Sequence, residues 1–241
     1  VVDGLSAAFA DAAVPLTVLV ECDTGGGRCG VQTPAAAAHL AETVAASPGL
    51  RFGGLMTYPA PDSYARTEAF LREAKALCLS AVGACETISS GGTPSMAQFP
   101  EGSVVTEYRP GTYIYNDRSL IARGVCTPAD CALTVLATVV SRPTPARAII
   151  DAGSKTLSSD LLGLTGYGLL RAYPEAQIAG LSEEHGMVDI SALARKPEGG
   201  EVVAIIPNHA CVVTNLFDAV YLRGQDGTLR KTPVDARGRV I

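Results

Sequence analysis

The first half of the chain alternates strand-like, loop and helix-like segments, and this order most restricts the folds it can adopt. Strands joined by helical crossovers run parallel in one sheet, so the alternation predicts an α/β arrangement. Thr33 and Pro34 mark the start of a helix as its N-cap and first helical residue. The predicted strands are residues 16–23, 50–58, 86–89 and 104–115, and the predicted helices are residues 34–46 and 64–82.

The second half lacks this alternation. From Cys131 onward, short β-branched strands follow one another between Gly, Pro and Asp turns, as in an antiparallel β domain. The predicted strands are residues 132–141, 147–152, 177–181, 201–206 and 219–223. We place the boundary within residues 125–131. Residues 1–126 are then expected to form part of a parallel α/β barrel, and residues 127–241 a mostly antiparallel β domain.

The beginning of the chain indicates that a segment precedes it. The sequence has no initiator Met, and residues 1–4 resemble the tail of a strand that a helix through Phe9 follows. We therefore expect that an amino-terminal part of the barrel is absent from this sequence.

The composition argues against several classes of protein. The chain has 241 residues, 47% of them hydrophobic and 18% charged, with a net charge of −5. The mild acidity and the lack of a basic cluster argue against a nucleic-acid partner. No apolar run is long enough to span a membrane, and no secretory signal pattern opens the chain. Seven scattered cysteines are typical of a reducing compartment, so we expect a cytoplasmic protein. Core or half-buried positions are expected for Cys22, Cys78, Cys85, Cys126 and Cys131.

His209 and Cys211, in the run Pro207-Asn208-His209-Ala210-Cys211, are the most informative candidates for chemistry. An imidazole and a thiolate one residue apart can bind one zinc or similar divalent ion if the backbone is extended and bends there. Two ligands leave open coordination positions, which is typical of a catalytic metal, and His185 is a distant candidate for a third. On spacing alone an alternative stays open, namely a buried cysteine beside a hydrogen-bonded histidine at a strand end.

Three polar loops follow predicted parallel strands, at the strand ends where barrel enzymes carry their chemistry. They are residues 23–30, 89–95 and 108–113. The second loop offers backbone N–H groups and hydroxyls that suit a phosphate. An ordinary solvated turn explains each loop taken singly, but the three together favour a phosphorylated cofactor.

These segments resemble a known family. Asp23-Thr24-Gly25 with Arg28-Cys29-Gly30 resembles the Asp-Thr-Gly-x-x-Arg-x-Gly loop of alanine-racemase-type (fold type III) pyridoxal-phosphate enzymes. Arg109-Pro110-Gly111 is similar to their Arg-Pro-Gly segment. The run from Pro207 to Cys211 and the run Ser182-Glu183-Glu184-His185-Gly186 resemble a narrower branch, the D-threonine aldolases and eukaryotic-type D-serine dehydratases. The resemblance covers essentially the whole chain, and the order of the motifs is specific.

The resemblance implies a (β/α)8 barrel that holds pyridoxal phosphate, followed by a β domain that carries the metal. It implies that Arg28 lies near the phenolic oxygen of the cofactor as a catalytic and binding residue, and that Arg109 faces the pyridine nitrogen. An arginine there keeps that nitrogen unprotonated, because two cations at hydrogen-bond distance repel each other. The ring is then a weaker electron sink, so a metal ion must also act as a Lewis acid on the substrate hydroxyl. The other implied cofactor contacts are Tyr58 and Tyr113 at the ring, and Gly91, Gly92, Thr93, Gly111 and Thr112 at the phosphate.

The sequence departs from the family at the Schiff-base lysine, which the family carries at the end of the first barrel strand. The four lysines of this chain are Lys75, Lys155, Lys196 and Lys231. Lys155 is similar to a lysine of the family's β domain that does not bind the cofactor. We therefore expect the cofactor lysine in the absent amino-terminal part, and we expect the chain as given not to catalyse.

The resemblance implies two possible lyase reactions. We favour a D-threonine aldolase-like cleavage of a D-3-hydroxy amino acid to glycine and an aldehyde, because the loop at residues 108–113 is closer to that branch. The His-x-Cys spacing favours the alternative, a D-serine dehydratase-like elimination to a keto acid and ammonia. A non-catalytic pyridoxal-phosphate-binding protein and a metal-only hydrolase also stay open.

The expected ligands follow from that interpretation. They are pyridoxal phosphate, one divalent ion (zinc, or manganese) and a small D-amino acid, and a homodimer stays open. His185 is expected to be a third ligand or a base close to the ion, with its other ring nitrogen fixed by Glu183 or Glu184.

Overall fold

The structure is a computed structural model, and it describes residues 1–98 and 101–239. The chain forms two compact units, Val1–Gly111 and Thr112–Ile241, which we call unit 1 and unit 2. The domain boundary between residues 126 and 127 stays a prediction. In the described ranges, no helix combines the length and the apolar character needed to cross a membrane.

Unit 1 is built around a parallel sheet. Its strands lie in the order β1-β2-β3-β4, and each neighbouring pair is parallel. The strands are β1 (Leu16–Glu21), β2 (Leu50–Met56), β3 (Thr87–Ser90) and β4 (Glu107–Tyr108). The helices are α1 (Val2–Phe9), α2 (Pro34–Ala46) and α3 (Tyr64–Val82). This arrangement confirms the predicted α/β class, that of a partial (β/α)8 barrel.

The bounds of α2 and α3 agree with the sequence prediction. Thr33 caps α2, because its side-chain oxygen accepts a hydrogen bond from the N–H of Ala36 at 3.1 Å. Helix α3 ends at Gly83, whose φ of 72° is left-handed and suits glycine. Both helices turn small or apolar side chains towards the core of unit 1. The buried residues are Ala37, Ala41 and Val44 of α2, and Thr67, Leu71, Ala74 and Cys78 of α3.

Two predictions for unit 1 are wrong. Residues 2–4 belong to helix α1 rather than to the tail of a strand, because Val2, Leu5 and Phe9 share one helical face that packs against the core. The strand predicted at residues 104–115 is only two residues long, at Glu107–Tyr108. Pro110 has no N–H to donate to a sheet, and the chain turns into a 3-10 helix at Thr112–Ile114.

Unit 2 confirms the predicted antiparallel β domain. Its main sheet has the order β7-β10-β5-β6-β9-β8, with antiparallel neighbours throughout, and β11 and β12 form a separate hairpin. The strands are β5 (Val135–Thr144), β6 (Arg147–Ile150), β7 (Leu169–Leu170), β8 (Gln177–Leu181), β9 (Gly186–Asp189), β10 (Val202–Ile206), β11 (Ala219–Arg223) and β12 (Leu229–Pro233). The helices are α4 (Arg118–Ala122), α5 (Ser154–Leu157) and α6 (Ala210–Leu216), with a 3-10 helix at Pro128–Asp130.

The cysteines occupy the expected kinds of position. Cys22, Cys78, Cys85 and Cys131 are buried and Cys126 is half-buried, whereas Cys29 and Cys211 are exposed. Burial raises the pKa of Cys22 to about 12 and that of Cys131 to about 12. These two thiols therefore stay protonated and serve as packing groups.

Candidate cofactor and metal sites

Arg109 is fixed at the carboxyl end of the parallel sheet of unit 1. Its guanidinium donates to the carbonyl oxygen of Thr57 at 2.8 Å and to the hydroxyl of Ser89. The Ser89 hydroxyl in turn donates to a carboxylate oxygen of Glu107 at 2.5 Å. The sequence motif located Arg109 but not these partners, which lie on three different strand ends. They hold the guanidinium in one orientation. A cation that faces a ring nitrogen would need such a fixed orientation.

The loop after β1 is shaped by Asp23. One carboxylate oxygen of Asp23 accepts the N–H groups of Gly25 at 2.8 Å and Gly27 at 3.1 Å, and these bonds lower the pKa of the carboxyl. Gly25 has a φ of 110°, and a Cβ there would lie 1.9 Å from the guanidinium of Arg66. The conformation of this loop therefore depends on glycine.

Arg28 and Tyr58 lie close together, and their contacts with a cofactor stay a prediction. The Arg28 guanidinium lies 5.1 Å from the centroid of the Tyr58 ring. A carboxylate oxygen of Glu21 lies 3.6 Å from the same guanidinium, and Arg28 is largely exposed. Arg28 is thus an exposed cation on a loop, whereas Arg109 has two hydrogen-bond partners at strand ends.

The glycines after β3 permit a close approach. Gly91 has a φ of 79°, and a Cβ there would lie 2.1 Å from the ring of Tyr108. A Cβ on Gly92 would lie 3.1 Å from the Tyr58 ring. Thr93 is buried and begins a 3-10 helix at Thr93–Ser95. Two aromatic rings therefore cover the backbone at the position where the sequence predicts a phosphate.

Ser90 carries the observation that fits a phosphorylated ligand. Within residues 1–98 and 101–239, its hydroxyl is the buried side-chain oxygen that has no hydrogen-bond partner. A buried polar atom without a partner is costly, and a bound ligand or water at this position would satisfy it. Ser90 lies at the end of β3, directly before Gly91 and Gly92. The residues of this strand end therefore fit a phosphate, with Ser90 as a donor that was not among the predicted site residues.

His209 and Cys211 lie at the start of α6 in unit 2. His209 is the N-cap of this helix with an extended backbone, and Cys211 follows in the first helical turn. The backbone is thus extended at His209 and turns into a helix at Cys211. The turn brings the two side chains within hydrogen-bonding distance, as a shared ion requires.

The contact between the two side chains shifts their pKa values in opposite directions. The hydrogen bond with Cys211, followed by the hydrogen bond with Asp160, raises the pKa of His209 from 6.5 to about 9. The same contact with His209 lowers the pKa of Cys211. The thiolate is the form that binds metals, and Cys211 reaches it at lower pH than an ordinary thiol does. His209 must release its proton to an incoming ion, because only the neutral imidazole is a ligand.

Asp160 is a site residue that the sequence reasoning missed. Its carboxylate oxygen Oδ2 lies 2.6 Å from Nδ1 of His209. A carboxylate on one ring nitrogen of a histidine directs the other nitrogen towards a metal. The sequence led us to expect such an acceptor for a ligand histidine, but it indicated candidates, Glu183 and Glu184, only for His185. Asp160 lies in an unremarkable Ser-Ser-Asp segment, and no local spacing connects it to His209.

Buried polar contacts clamp the backbone around the pair. Asp117 is fully buried, and its carboxylate accepts the N–H of Ala210 at 3.0 Å. The side-chain oxygen of Asn208 accepts a hydrogen bond from Arg118 at 3.1 Å. The N–H of Arg118 donates to the carbonyl of Pro207 at 3.0 Å. The start of α4 is therefore joined to the segment that carries both candidate ligands.

His185 is not brought into this pair. It is exposed in the turn between β8 and β9. Glu183 and Glu184, expected to orient it, each have a carboxylate oxygen 2.8 Å from Nζ of Lys155. In the described parts of the chain, no three His, Cys, Asp or Glu side chains are grouped so that they could hold an ion. The role of His185 as a third ligand or base stays a prediction.

The remaining predicted residues lie at the junction of the two units. Gly111 is exposed and is the last residue of unit 1. Thr112 belongs to unit 2, where its hydroxyl oxygen lies 3.5 Å from Sγ of Cys211. Tyr113 follows in the 3-10 helix and is exposed. In unit 2, Thr112 is thus a neighbour of the candidate ligand Cys211.

Comparisons with known proteins identify the class. Residues 2–119 match the family described as "Alanine racemase, N-terminal domain", and residues 132–223 match the family described as "Putative serine dehydratase domain". A parallel α/β unit followed by a β domain with these matches defines an alanine-racemase-like, two-domain enzyme fold.

Individual relatives give a narrower family. The chain is 33% identical to a D-threonine aldolase from Arthrobacter sp, over 97% of this chain and 64% of that protein. It is 31% identical to the D-threo-3-hydroxyaspartate dehydratase of Delftia sp., over 95% of this chain and 70% of that protein. The chain thus spans less than two thirds of the length of the first of these relatives.

Solved structures agree with this result. The crystal structure of D-threonine aldolase from Filomicrobium marinum matches with a TM-score of 0.85 and 33% identity, over 100% of this chain and 68% of that one. A cysteine-to-alanine mutant of D-threo-3-hydroxyaspartate dehydratase, described as metal-free, matches with a TM-score of 0.81 and 27% identity, over 96% of this chain and 69% of that one. The chain belongs to the D-threonine aldolase and D-serine dehydratase-like family of fold type III pyridoxal-phosphate enzymes.

Proposed function

We propose that the protein acts as a pyridoxal-phosphate- and divalent-metal-dependent lyase on D-3-hydroxy amino acids, and that it cleaves them as a D-threonine aldolase does. The observation that carries the metal dependence is the arrangement of Asp160, His209 and Cys211, in which a carboxylate lies against an imidazole beside a thiol of lowered pKa. The loop at residues 108–113 is our reason for placing the aldolase first. Two protein ligands leave coordination positions open for a substrate oxygen. The family relationship supports the cofactor, and this pair supports the metal.

The bound groups would supply the difficult chemistry. Pyridoxal phosphate supplies an electron sink for bonds at the α-carbon of an amino acid, and a divalent ion supplies a Lewis acid for an oxygen. His209 and Cys211 would hold the ion. Ser90, Gly91 and Gly92 would receive the phosphate, because the Ser90 hydroxyl lacks a partner and backbone N–H groups at a strand end suit an anion.

The arginines would set the protonation of the cofactor ring. Arg109 is held by Thr57 and Ser89, so it would present a fixed cation to the ring nitrogen and would keep that nitrogen as a hydrogen-bond acceptor. Arg28, on the loop after β1, would contribute positive charge at the phenolic oxygen. His185 remains our candidate for a base, to be tested by substitution with alanine.

A second candidate activity is a dehydratase-type elimination. The His-x-Cys spacing favours it, and the similar structures include those of a D-threo-3-hydroxyaspartate dehydratase. Both reactions need the same cofactor and the same ion. They differ in the bond that breaks: Cα–Cβ in the aldolase, and the bond from Cβ to the hydroxyl in the dehydratase.

Product analysis distinguishes these activities. The full-length protein, supplied with pyridoxal phosphate and zinc or manganese, is given D-threonine and D-serine. We expect glycine and acetaldehyde from D-threonine. A keto acid and ammonia would replace the aldolase proposal by the dehydratase. If the protein shows a cofactor absorbance band but turns over neither substrate, it is a pyridoxal-phosphate-binding protein. If it shows no cofactor band sensitive to borohydride, it is a metal-only enzyme.

Two variants test the proposed sites. Cys211→Ala should abolish metal-dependent turnover while the cofactor absorbance is retained. Arg109→Glu should weaken or spectrally alter the bound cofactor, since a carboxylate favours protonation of the ring nitrogen. An unchanged spectrum and affinity in Arg109→Glu would remove Arg109 from this role, and full activity of Cys211→Ala after chelator treatment would exclude the metal site.

A further inference from the structure

The loop between α5 and β7 has an unusual backbone. Ser158 has a φ of 60° and Leu162 a φ of 47°, although neither is glycine. A bulky residue such as leucine is rarely found with a positive φ. Such conformations are strained and persist only where surrounding contacts hold them. Contacts around this loop, residues 158–166, must therefore hold its backbone in this conformation.

The strained loop presents one carboxylate. The N–H of Asp160 donates to the Ser158 hydroxyl at 3.0 Å, and the N–H of Leu162 donates to Oδ1 of Asp160 at 3.3 Å. The other oxygen, Oδ2, lies 2.6 Å from Nδ1 of His209. One oxygen thus fixes the carboxylate to its own loop, and the other is directed at the candidate ligand.

The same loop is tied to the segment that precedes the ligand. The buried amide of Asn208, next to His209, donates to the carbonyl of Gly166 at 2.8 Å and to that of Asp160 at 3.4 Å. Arg118 donates to the carbonyls of Thr165 at 2.9 Å and of Gly166 at 3.1 Å. Hydrogen bonds near both ends of the loop therefore fix it to the segment that carries the candidate ligands.

We propose that loop 158–166 is a positioning element for the metal ligand, in which Asp160 accepts a hydrogen bond from Nδ1 of His209 and leaves Nε2 as the ligating nitrogen. The proposal rests on the proposed metal dependence of the enzyme. A fixed tautomer and ring orientation lower the cost of forming the metal bond. Asp160 acts through His209 and is a positioning residue rather than a ligand.

Cobalt binding to the chain tests this role without any turnover. Co²⁺ is titrated into the wild-type chain and into Asp160→Ala, and the thiolate-to-cobalt absorption band reports bonding to Cys211. We expect Asp160→Ala to bind about 10–100-fold more weakly, as is typical when an outer partner of a metal ligand is removed. Asp160→Asn should lose less, because its amide oxygen still accepts from Nδ1.

Nitrogen NMR of the zinc-loaded chain gives a readout that a merely structural role would not change. The chain has three histidines, so the His209 signals can be assigned by substitution. In the wild type we expect Nδ1 to carry a proton and Nε2 to bind zinc. In Asp160→Ala we expect two populations, one with zinc on Nε2 and one with zinc on Nδ1.

Two control variants separate positioning from general stability. Asp226→Ala removes another turn carboxylate, which accepts hydrogen bonds from Thr228 in the β11–β12 hairpin, and it should leave cobalt affinity unchanged. Leu162→Gly relieves the positive φ while keeping Asp160, and it should change cobalt affinity less than Asp160→Ala does.

The outcomes distinguish this inference from the proposed function. If the wild type binds cobalt through Cys211 and Asp160→Ala binds it with equal affinity and an unchanged spectrum, the positioning role of Asp160 is overturned while the metal site stands. Zinc bound at Nδ1 in the wild type would overturn it as well. If the wild type binds neither ion, both the inference and the metal dependence of the proposed function are overturned.

Discussion

Asp117 offers the most quantitative test of how the candidate metal site is held. Its buried carboxylate accepts hydrogen bonds from the Ser119 hydroxyl at 2.6 Å, the N–H of Leu120 at 3.2 Å and the N–H of Ala210 at 3.0 Å. The Leu120 bond makes Asp117 the N-cap of α4. The Ala210 bond reaches the residue that lies between the two candidate ligands.

The magnitude for Asp117→Ala follows from these contacts. Loss of an N-cap costs about 0.5–2 kcal/mol. Removing the acceptor also leaves the buried N–H of Ala210 unsatisfied, which costs about 1–3 kcal/mol. We therefore expect the free energy of unfolding to fall by about 3 kcal/mol. Cobalt affinity should fall as well, because Ala210 connects His209 to Cys211.

Guanidinium chloride unfolding of the wild type and the variant measures the change. Asp218→Ala is the matched control, since this carboxylate is 88% exposed and pairs with Arg237 at the surface. The control should stay within about 0.5 kcal/mol of the wild type. A loss below about 0.5 kcal/mol in Asp117→Ala would refute the idea that this buried carboxylate joins α4 to the ligand segment.

Three further predictions concern thiol chemistry, backbone space and the phosphate. In metal-free protein, His209 lowers the pKa of Cys211, so iodoacetamide should alkylate Cys211 at lower pH than in His209→Ala; identical pH–rate profiles would contradict the pairing. Gly54→Ala should destabilise the chain by more than about 1 kcal/mol, because Gly54 has a φ of 143° and a Cβ there would lie 1.8 Å from the Thr87 carbonyl oxygen. The control Gly4→Ala, in helix α1, should not destabilise the chain. Equal thermal midpoints of the two variants would contradict the clash. Ser90→Ala in the full-length protein should weaken pyridoxal-phosphate affinity by about 1.5–3 kcal/mol in a spectrophotometric titration, and unchanged affinity would remove Ser90 from the phosphate site.

The sequence predicted elements well where local chemistry decides their ends. Thr33 and Pro34 define the start of α2, and the structure confirms this start because the cap bond forms within the same four residues. Strands β8 and β11 also have their predicted bounds, at Gln177–Leu181 and Ala219–Arg223. These features depend on residues that are neighbours along the chain.

The candidate site was only partly predictable, because its parts are distant in sequence. His209 and Cys211 form a short motif and were found. Asp160 and Asp117 were not, since each meets the ligand segment through a contact that spans 49 or 93 positions. An aspartate in a polar loop has no local pattern that reveals such a partner. The helix at Cys211 was missed for a related reason, because the contact of Ala210 with Asp117 fixes the backbone there.

X-ray absorption of the zinc-loaded protein tests the central claim most directly, since it counts the atoms bound to the ion. A site formed by His209 and Cys211 with open positions should show one sulfur at about 2.3 Å, one imidazole nitrogen at about 2.0–2.1 Å and oxygen in the remaining positions. The sulfur should disappear in Cys211→Ala. A wild-type spectrum without sulfur, or one with several sulfurs and no imidazole, would contradict the proposed metal site and the lyase activity that depends on it.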